Sequence, residues 1–267
     1  MDNPDQARPE EAGASPGPGP SAFWHLGSHL RLWPVAIVGL AFDLWSKDWA
    51  FRNVTAEGRT VIPKILSFEL SLNSGALFGL GRGMSPLFVA ASVLALLFVV
   101  YLFSQSSRDR WSLHVALGLI LGGALGNLYD RSAAHADVVF GPPAGGLWQR
   151  LLGDHPMQTG ILVDETETAW IFGRFPDEQE PRGIAKRDGL RLVEDMPVVR
   201  DFIKIDASLF GRDIWKWIFN VADVLLVMGV GLLLVNFRQE RRALRAARPV
   251  SADAIAAPDL SRPSDPT

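Results

Sequence analysis

The sequence predicts an all-α polytopic membrane protein: four transmembrane helices, a small extracytoplasmic β-containing region and a large insertion between helices 3 and 4. Three observations carry that expectation. Four apolar runs each have about the length that crosses ~30 Å of hydrocarbon. Lys and Arg concentrate in the short segment between the second and third runs and just after the fourth. One long polar stretch with strand-like alternation separates the third run from the fourth.

Residues 1–22 are rich in Pro, Gly and acids and cannot bury enough apolar surface to offset ordering entropy, so they read as a disordered tail. The first run is Leu32 to Phe51, interrupted in its second half by Asp43, Lys47 and Asp48. A signal peptide built on Val35 to Phe42 is the alternative, but it lacks a basic leader and a small-residue cleavage site. Met84 to Phe103 carries no charge, and Ser112 to Tyr129 has only His114 as an ionisable group. Ile214 to Asn236 is the fourth run, with Trp215 and Trp217 where an interfacial aromatic belt would lie. The membrane domain therefore comprises 23–131 and 201–237, the insertion 132–200, and a basic, then disordered, tail 238–267.

Arg108 and Arg110 lie between the second and third runs, and Arg238, Arg241, Arg242, Arg245 and Arg248 follow the fourth. By the positive-inside rule both segments are cytoplasmic, and an even number of spans puts the N-terminus there too. The absence of cysteine excludes disulfides, thiolate metal sites and a cysteine nucleophile. A net charge of −3 gives no support for a nucleic-acid surface.

Intramembrane polar residues are costly and mark candidate sites. Asp43 and Lys47 lie late in an outward-running span, Asn127, Asp130 and Arg131 close the next outward one, and Asn220 and Asp223 open the last inward one. All three clusters fall at the outer leaflet, and the spacing within each puts its members on one helix face. Such residues also serve as hydrogen-bonding glue between helices. Gly122, Gly123, Gly126, Gly229 and Gly231 permit close helix approach. Ser67 to Gly79 alternates before Asn73, Ser74 and Gly75 and reads as a short strand entering a turn. Residues 158–175 read as a strand or hairpin within an insertion that is a subdomain, a lid or a tolerated surface addition.

FDLWSK at 42–47, NSGALFG at 73–79, GGALGNLYDR at 122–131 and FNVAD at 219–223 resemble, in order, the boxes of the lipoprotein signal peptidases, also called signal peptidase II. The resemblance implies a bacterial inner-membrane aspartic endopeptidase that needs no metal or other cofactor. It would cleave diacylglyceryl-modified prolipoproteins just before the lipidated cysteine, among membrane lipids and without nucleic acid. Carried over by motif, the catalytic pair is Asp201, from VVRDF at 198–202, and Asp223. Asp43, Lys47, Asn73, Gly75, Asn127, Asp130, Arg131, Asn220 and Ala222 match supporting or substrate-binding positions. The chain departs from the family in the 69 residues 132–200, so Asp130, Asp137 and Asp206 compete for the second carboxylate. A proton-coupled carrier using Asp43, Lys47 and Asp223, and a noncatalytic scaffold, are the rival classes.

Overall fold

The computed structural model describes residues 21–74, 85–141, 155–176, 179–209, 212–213, 215 and 217–246. The all-α expectation is overturned. About 31% of the described residues are strand, arranged mainly in two antiparallel sheets. Among the described residues only two helices are long and apolar enough to cross a membrane, in place of the expected four. The physical reason is local: charges interrupt the first apolar run, and the polar insertion satisfies its backbone by laddering strands instead of coiling.

The helices are α1 (Leu26–Asn53), α2 (Ser85–Gln105), α3 (Trp111–Ala133) and α4 (Val221–Ala246). The two that qualify as spans are α3 and α4. Helix α4 continues to Ala246, so the first part of the basic tail extends the fourth helix. Helix α3 is central and packs against α1, α2 and α4. Glycine permits its closest approach to α1: a Cβ on Gly122 would lie 2.8 Å from the Ala36 carbonyl oxygen. Between the helices lies a core that includes Leu32, Ala36, Val99, Phe103, Leu117, Ile120 and Leu233. Outward faces remain apolar, with Ile37, Val38, Phe42 and Trp45 of α1 and Val227, Met228 and Leu234 of α4 all exposed. A contiguous surface of that kind suits lipid rather than water.

The first sheet is ordered β1 (Arg59–Ile62), β2 (Leu66–Asn73), β8 (Val199–Ile205) and β11 (Ile218–Phe219). The strand expected in Ser67 to Gly79 is β2, and its partner β8 carries the VVRDF box. Phe68 and Phe202 of this sheet pack with Ala50, Phe51 and Val54 at the end of α1.

The second sheet is the insertion, ordered β6 (Gln179–Ala185), β5 (Ala169–Arg174), β4 (His155–Glu165), β3 (His135–Gly141) and β7 (Arg191–Pro197). The strand or hairpin expected at 158–175 is the antiparallel pair β4 and β5. Strand β3 follows α3 directly, and β7 leads into β8 with only Val198 between. A two-stranded ladder, β9 (Ser208–Leu209) with β10 (Arg212–Asp213), completes the described strands.

Candidate active site

Asn220 begins α4. Its side-chain oxygen accepts from the Asp223 N–H at 3.0 Å while Asp223 Oδ2 accepts from the Asn220 N–H at 3.3 Å, a reciprocal cap of the helix N-terminus. The cap fixes the Asp223 carboxyl against the first turn of α4. Asp223 Oδ1 accepts from Asn127 Nδ2 of α3 at 2.9 Å.

Asp201 comes from β8, opposite Ser71 in the ladder, with Asn73 opposite Val199. Asn73 and Asp201 therefore share one face of the sheet. Asp201 Oδ2 accepts from Asn73 Nδ2 at 3.0 Å, and Oδ1 accepts from Asn220 Nδ2 at 2.6 Å. Asp201 is 2% exposed. Burial pushes its carboxyl well above the usual range and the Asp223 carboxyl adds to the rise, opposed by the Asn73 and Asn220 hydrogen bonds and the Lys47 charge. Both aspartates border one cavity of about 220 Å³, together with Asn73, Asn127, Arg131 and Leu226.

Behind the pair lies a buried ionic cluster. Lys47 Nζ sits 2.8 Å from Asp43 and 3.2 Å from Asp130, with all three side chains fully buried, and donates to Asn127 Oδ1 at 3.1 Å. Asp43 Oδ1 accepts from the N–H of Ala222 at 2.7 Å, so a carboxylate on α1 satisfies a free donor at the start of α4. Gly126 faces the same carboxyl, and any Cβ there would collide with it. Arg131 is largely buried, within electrostatic reach of Asp201, Asp223 and Asp130.

The structure thus brings together ten of the eleven residues singled out in the sequence; Gly75 lies outside the described residues. Of the competitors for the second carboxylate, Asp130 is taken up by Lys47 and Arg200. Asp137 spends its oxygens on the N–H groups of Leu162 and Asp195 inside the insertion sheet. Asp206 follows β8, with its N–H bonded to the Ile65 carbonyl.

The profile of the signal peptidase (SPase) II family matches residues 35–238. The chain belongs to the signal peptidase II family. It is 32% identical over 241 residues to a lipoprotein signal peptidase of Rhodopirellula baltica, covering 86% of this chain and 83% of that one. A lipoprotein signal peptidase of Symbiobacterium thermophilum is 37% identical over 108 residues, 40% of this chain and 70% of that one. A bacterial membrane enzyme solved by the in meso method at 2.3 Å shares the fold, with a TM-score of 0.51 and 21% identity, over 81% of this chain and 91% of that chain. Signal peptidase II is thus the frame for the site, and the chain is a protease of that family.

Sequence reasoning passed over Arg200 and Arg174. Arg200 donates to Asp130 from its backbone N–H and its guanidinium. Arg174, at the end of β5, donates to the Phe51 and Val54 carbonyls at the end of α1. The one available signal for Arg200 was its place beside Asp201 in VVRDF; for Arg174 the sequence holds none.

Proposed function

We propose that Asp201 and Asp223 are the catalytic pair of this signal peptidase II, an aspartic endopeptidase that removes signal peptides from prolipoproteins just before a diacylglyceryl-modified cysteine. Family membership sets aside the carrier and scaffold alternatives. The observation that carries the reading is two carboxyls from separate elements bordering one cavity and both held by Asn220, Asp201 through its side-chain amide and Asp223 through its backbone N–H.

Two carboxyls held this close share protons, so one stays neutral near pH 7 while its partner is ionised. The ionised member takes a proton from a water, which attacks the scissile carbonyl carbon. The neutral member donates to the carbonyl oxygen as charge develops there; as the tetrahedral intermediate collapses, the carboxyl that took the water's proton gives it to the leaving nitrogen and the hydroxyl returns its proton to the other carboxylate. Asn73, Asn127 and Asn220 hold the carboxyls by fixed amide donors, and Arg131 supplies positive charge beside them. The lipidated cysteine belongs to the substrate, and its acyl chains would lie against the apolar helix faces among membrane lipids.

The proposed location is a bacterial inner membrane, crossed more than once, with both termini cytoplasmic and the site at the outer leaflet. Arg110 pairs with Glu240 at 2.8 Å, bringing the α2–α3 connection and the basic end of α4 together. Ala22 bonds to Ser106 at that same end. Asp223 lies at the opposite end of α4, beside Asn127 at the opposite end of α3, which supports the arginine-rich end as cytoplasmic.

The test is processing in a strain that depends on this gene. Asp201→Asn and Asp223→Asn each accumulate unprocessed prolipoprotein while remaining in the membrane fraction. Normal processing by Asp201→Asn would remove it from the pair.

A further inference from the structure

The ionic cluster behind the aspartates has an incomplete charge balance if it stops at α1 and α3. Asp43 and Asp130 present two carboxylates to the single ammonium of Lys47, all fully buried. Such a group is costly away from water unless a further cation reaches it. Arg200 of β8 is that cation. Its backbone N–H donates to Asp130 Oδ2 at 2.9 Å, and its Nε and Nη2 donate to Oδ1 at 3.1 and 2.7 Å. With it the charges of Asp43, Asp130, Lys47 and Arg200 balance, and Arg131 is a further cation within reach of Asp130, Asp201 and Asp223.

The hydrogen bonds run in series toward the catalytic pair. Lys47 has three donors and three oxygen neighbours, on Asp43, Asp130 and Asn127. Asn127 Oδ1 is held by Lys47 and by Asn220 Nδ2, so its amide nitrogen must face Asp223. Displacing Asp130 therefore loosens Lys47, then Asn127, then the Asp223 carboxyl. Arg200 itself borders a different cavity, of about 420 Å³, with Asp48, Arg52, Tyr129 and Phe175, and does not border the one shared by the aspartates.

We propose that Arg200 is a positioning residue: its guanidinium fixes Asp130 and, through Lys47 and Asn127, aims the Asp223 carboxyl, while its backbone ties β8 to α3 one residue before Asp201. The proposal rests on Asp201 and Asp223 being the catalytic pair. Arg200 stands in β8, where the chain re-enters the first sheet after the insertion, directly before Asp201.

The experiment uses the full-length protein in phospholipid nanodiscs with a lipidated precursor, measuring kcat and KM separately. Arg200→Ala is expected to lower kcat about 100-fold, as a small misplacement of reacting groups does, with KM within about twofold. Arg200→Lys restores charge without the planar fork and recovers part of the loss. Asp130→Asn added to Arg200→Ala costs less than Asp130→Asn alone, because the two side chains act as one unit. Lys186→Ala, on the insertion's far hairpin, is the control and keeps the parental kcat. If Arg200→Ala fails to accumulate, Arg200→Lys carries the test, with reduced kcat at unchanged KM expected. Parental kcat in the Arg200 variants, or a loss appearing only as higher KM, overturns the proposal. Asp201→Asn is assayed alongside: full activity there overturns the catalytic pair itself, whereas an inactive Asp201→Asn beside a fully active Arg200→Ala overturns only the role of Arg200.

Discussion

Asn220 separates helix capping from catalysis in one substitution. Its oxygen caps α4 and its amide nitrogen donates to Asp201 and Asn127. Serine is about as good a cap as asparagine, so Asn220→Ser keeps the helix start and removes only the amide donors. The donor lost at Asp201 faces a carboxyl, and a hydrogen bond to a charged group contributes about 1.5–3 kcal/mol. If about 2 kcal/mol of that is felt in the transition state, kcat falls roughly 30-fold. The pH profile moves as well. The Asn220 hydrogen bond opposes the rise that burial and Asp223 impose on Asp201, so its loss lets that carboxyl rise further. Both limbs of the profile are therefore expected to shift to higher pH. Cleavage of a lipidated precursor in nanodiscs between about pH 4 and 9 reads both effects. A kcat within twofold of the parent, or limbs moving to lower pH, would refute the role of the amide.

Three further outcomes follow from the same contacts. Lys47→Met leaves Asp43 and Asp130 buried without their shared cation, and breaking such a pair costs about 3–5 kcal/mol, read as a large fall in thermal midpoint and in membrane yield. Gly126→Ala drives a methyl into the Asp43 carboxyl, and overpacking costs about 1–3 kcal/mol, so both midpoint and processing drop while Gly231→Ala, which meets nothing within 4 Å, leaves both near parental. Asp201 has a folded-state carboxyl raised well above its ordinary value of 3.8, so the stability linked to its proton is fully present below that value and lost as pH rises through the folded one. Asp201 therefore contributes a decline of the parent's thermal midpoint with rising pH above about 4. In Asp201→Asn the decline is shallower, and an unchanged slope would contradict a raised carboxyl at this position.

How much of this was legible depended on the distance over which each contact acts. Asp43 with Lys47 and Asn220 with Asp223 are one helical turn apart, and spacing alone put each pair on a common face. The contacts that assemble them are long-range: Asn73 meets Asp201 across 128 positions, and Asp43 caps Ala222 across 179. No periodicity encodes those, and only the order of the four boxes hinted that they meet. The all-α expectation failed where strands lack clean alternation, as in β6 (QEPRGIA), while β2 alternates cleanly (LSFELSLN), and 158–175, expected as a strand or hairpin, forms the β4–β5 pair.

The attachment of the insertion explains how Asp201 meets Asn73 and Asn220 across so long an interruption. Its two ends are not loose: β3 pairs with β7 from His135 opposite Pro197, and Val198 donates to the Ala134 carbonyl at 3.0 Å. The chain leaves α3 and re-enters the first sheet at adjacent points, so everything between hangs from a closed ladder. Because closure entropy grows only slowly with length, material added beyond a pinned base costs little and shifts the base less. Arg174 and Phe175 then dock the far side of the sheet on the end of α1, with Phe175 edge-on to Phe51 at 5.9 Å. An insertion held at its base and braced against α1 sets Asp201 by the same local geometry that a short connection would give, which is why Asn73, Asn127 and Asn220 still converge on the two carboxyls.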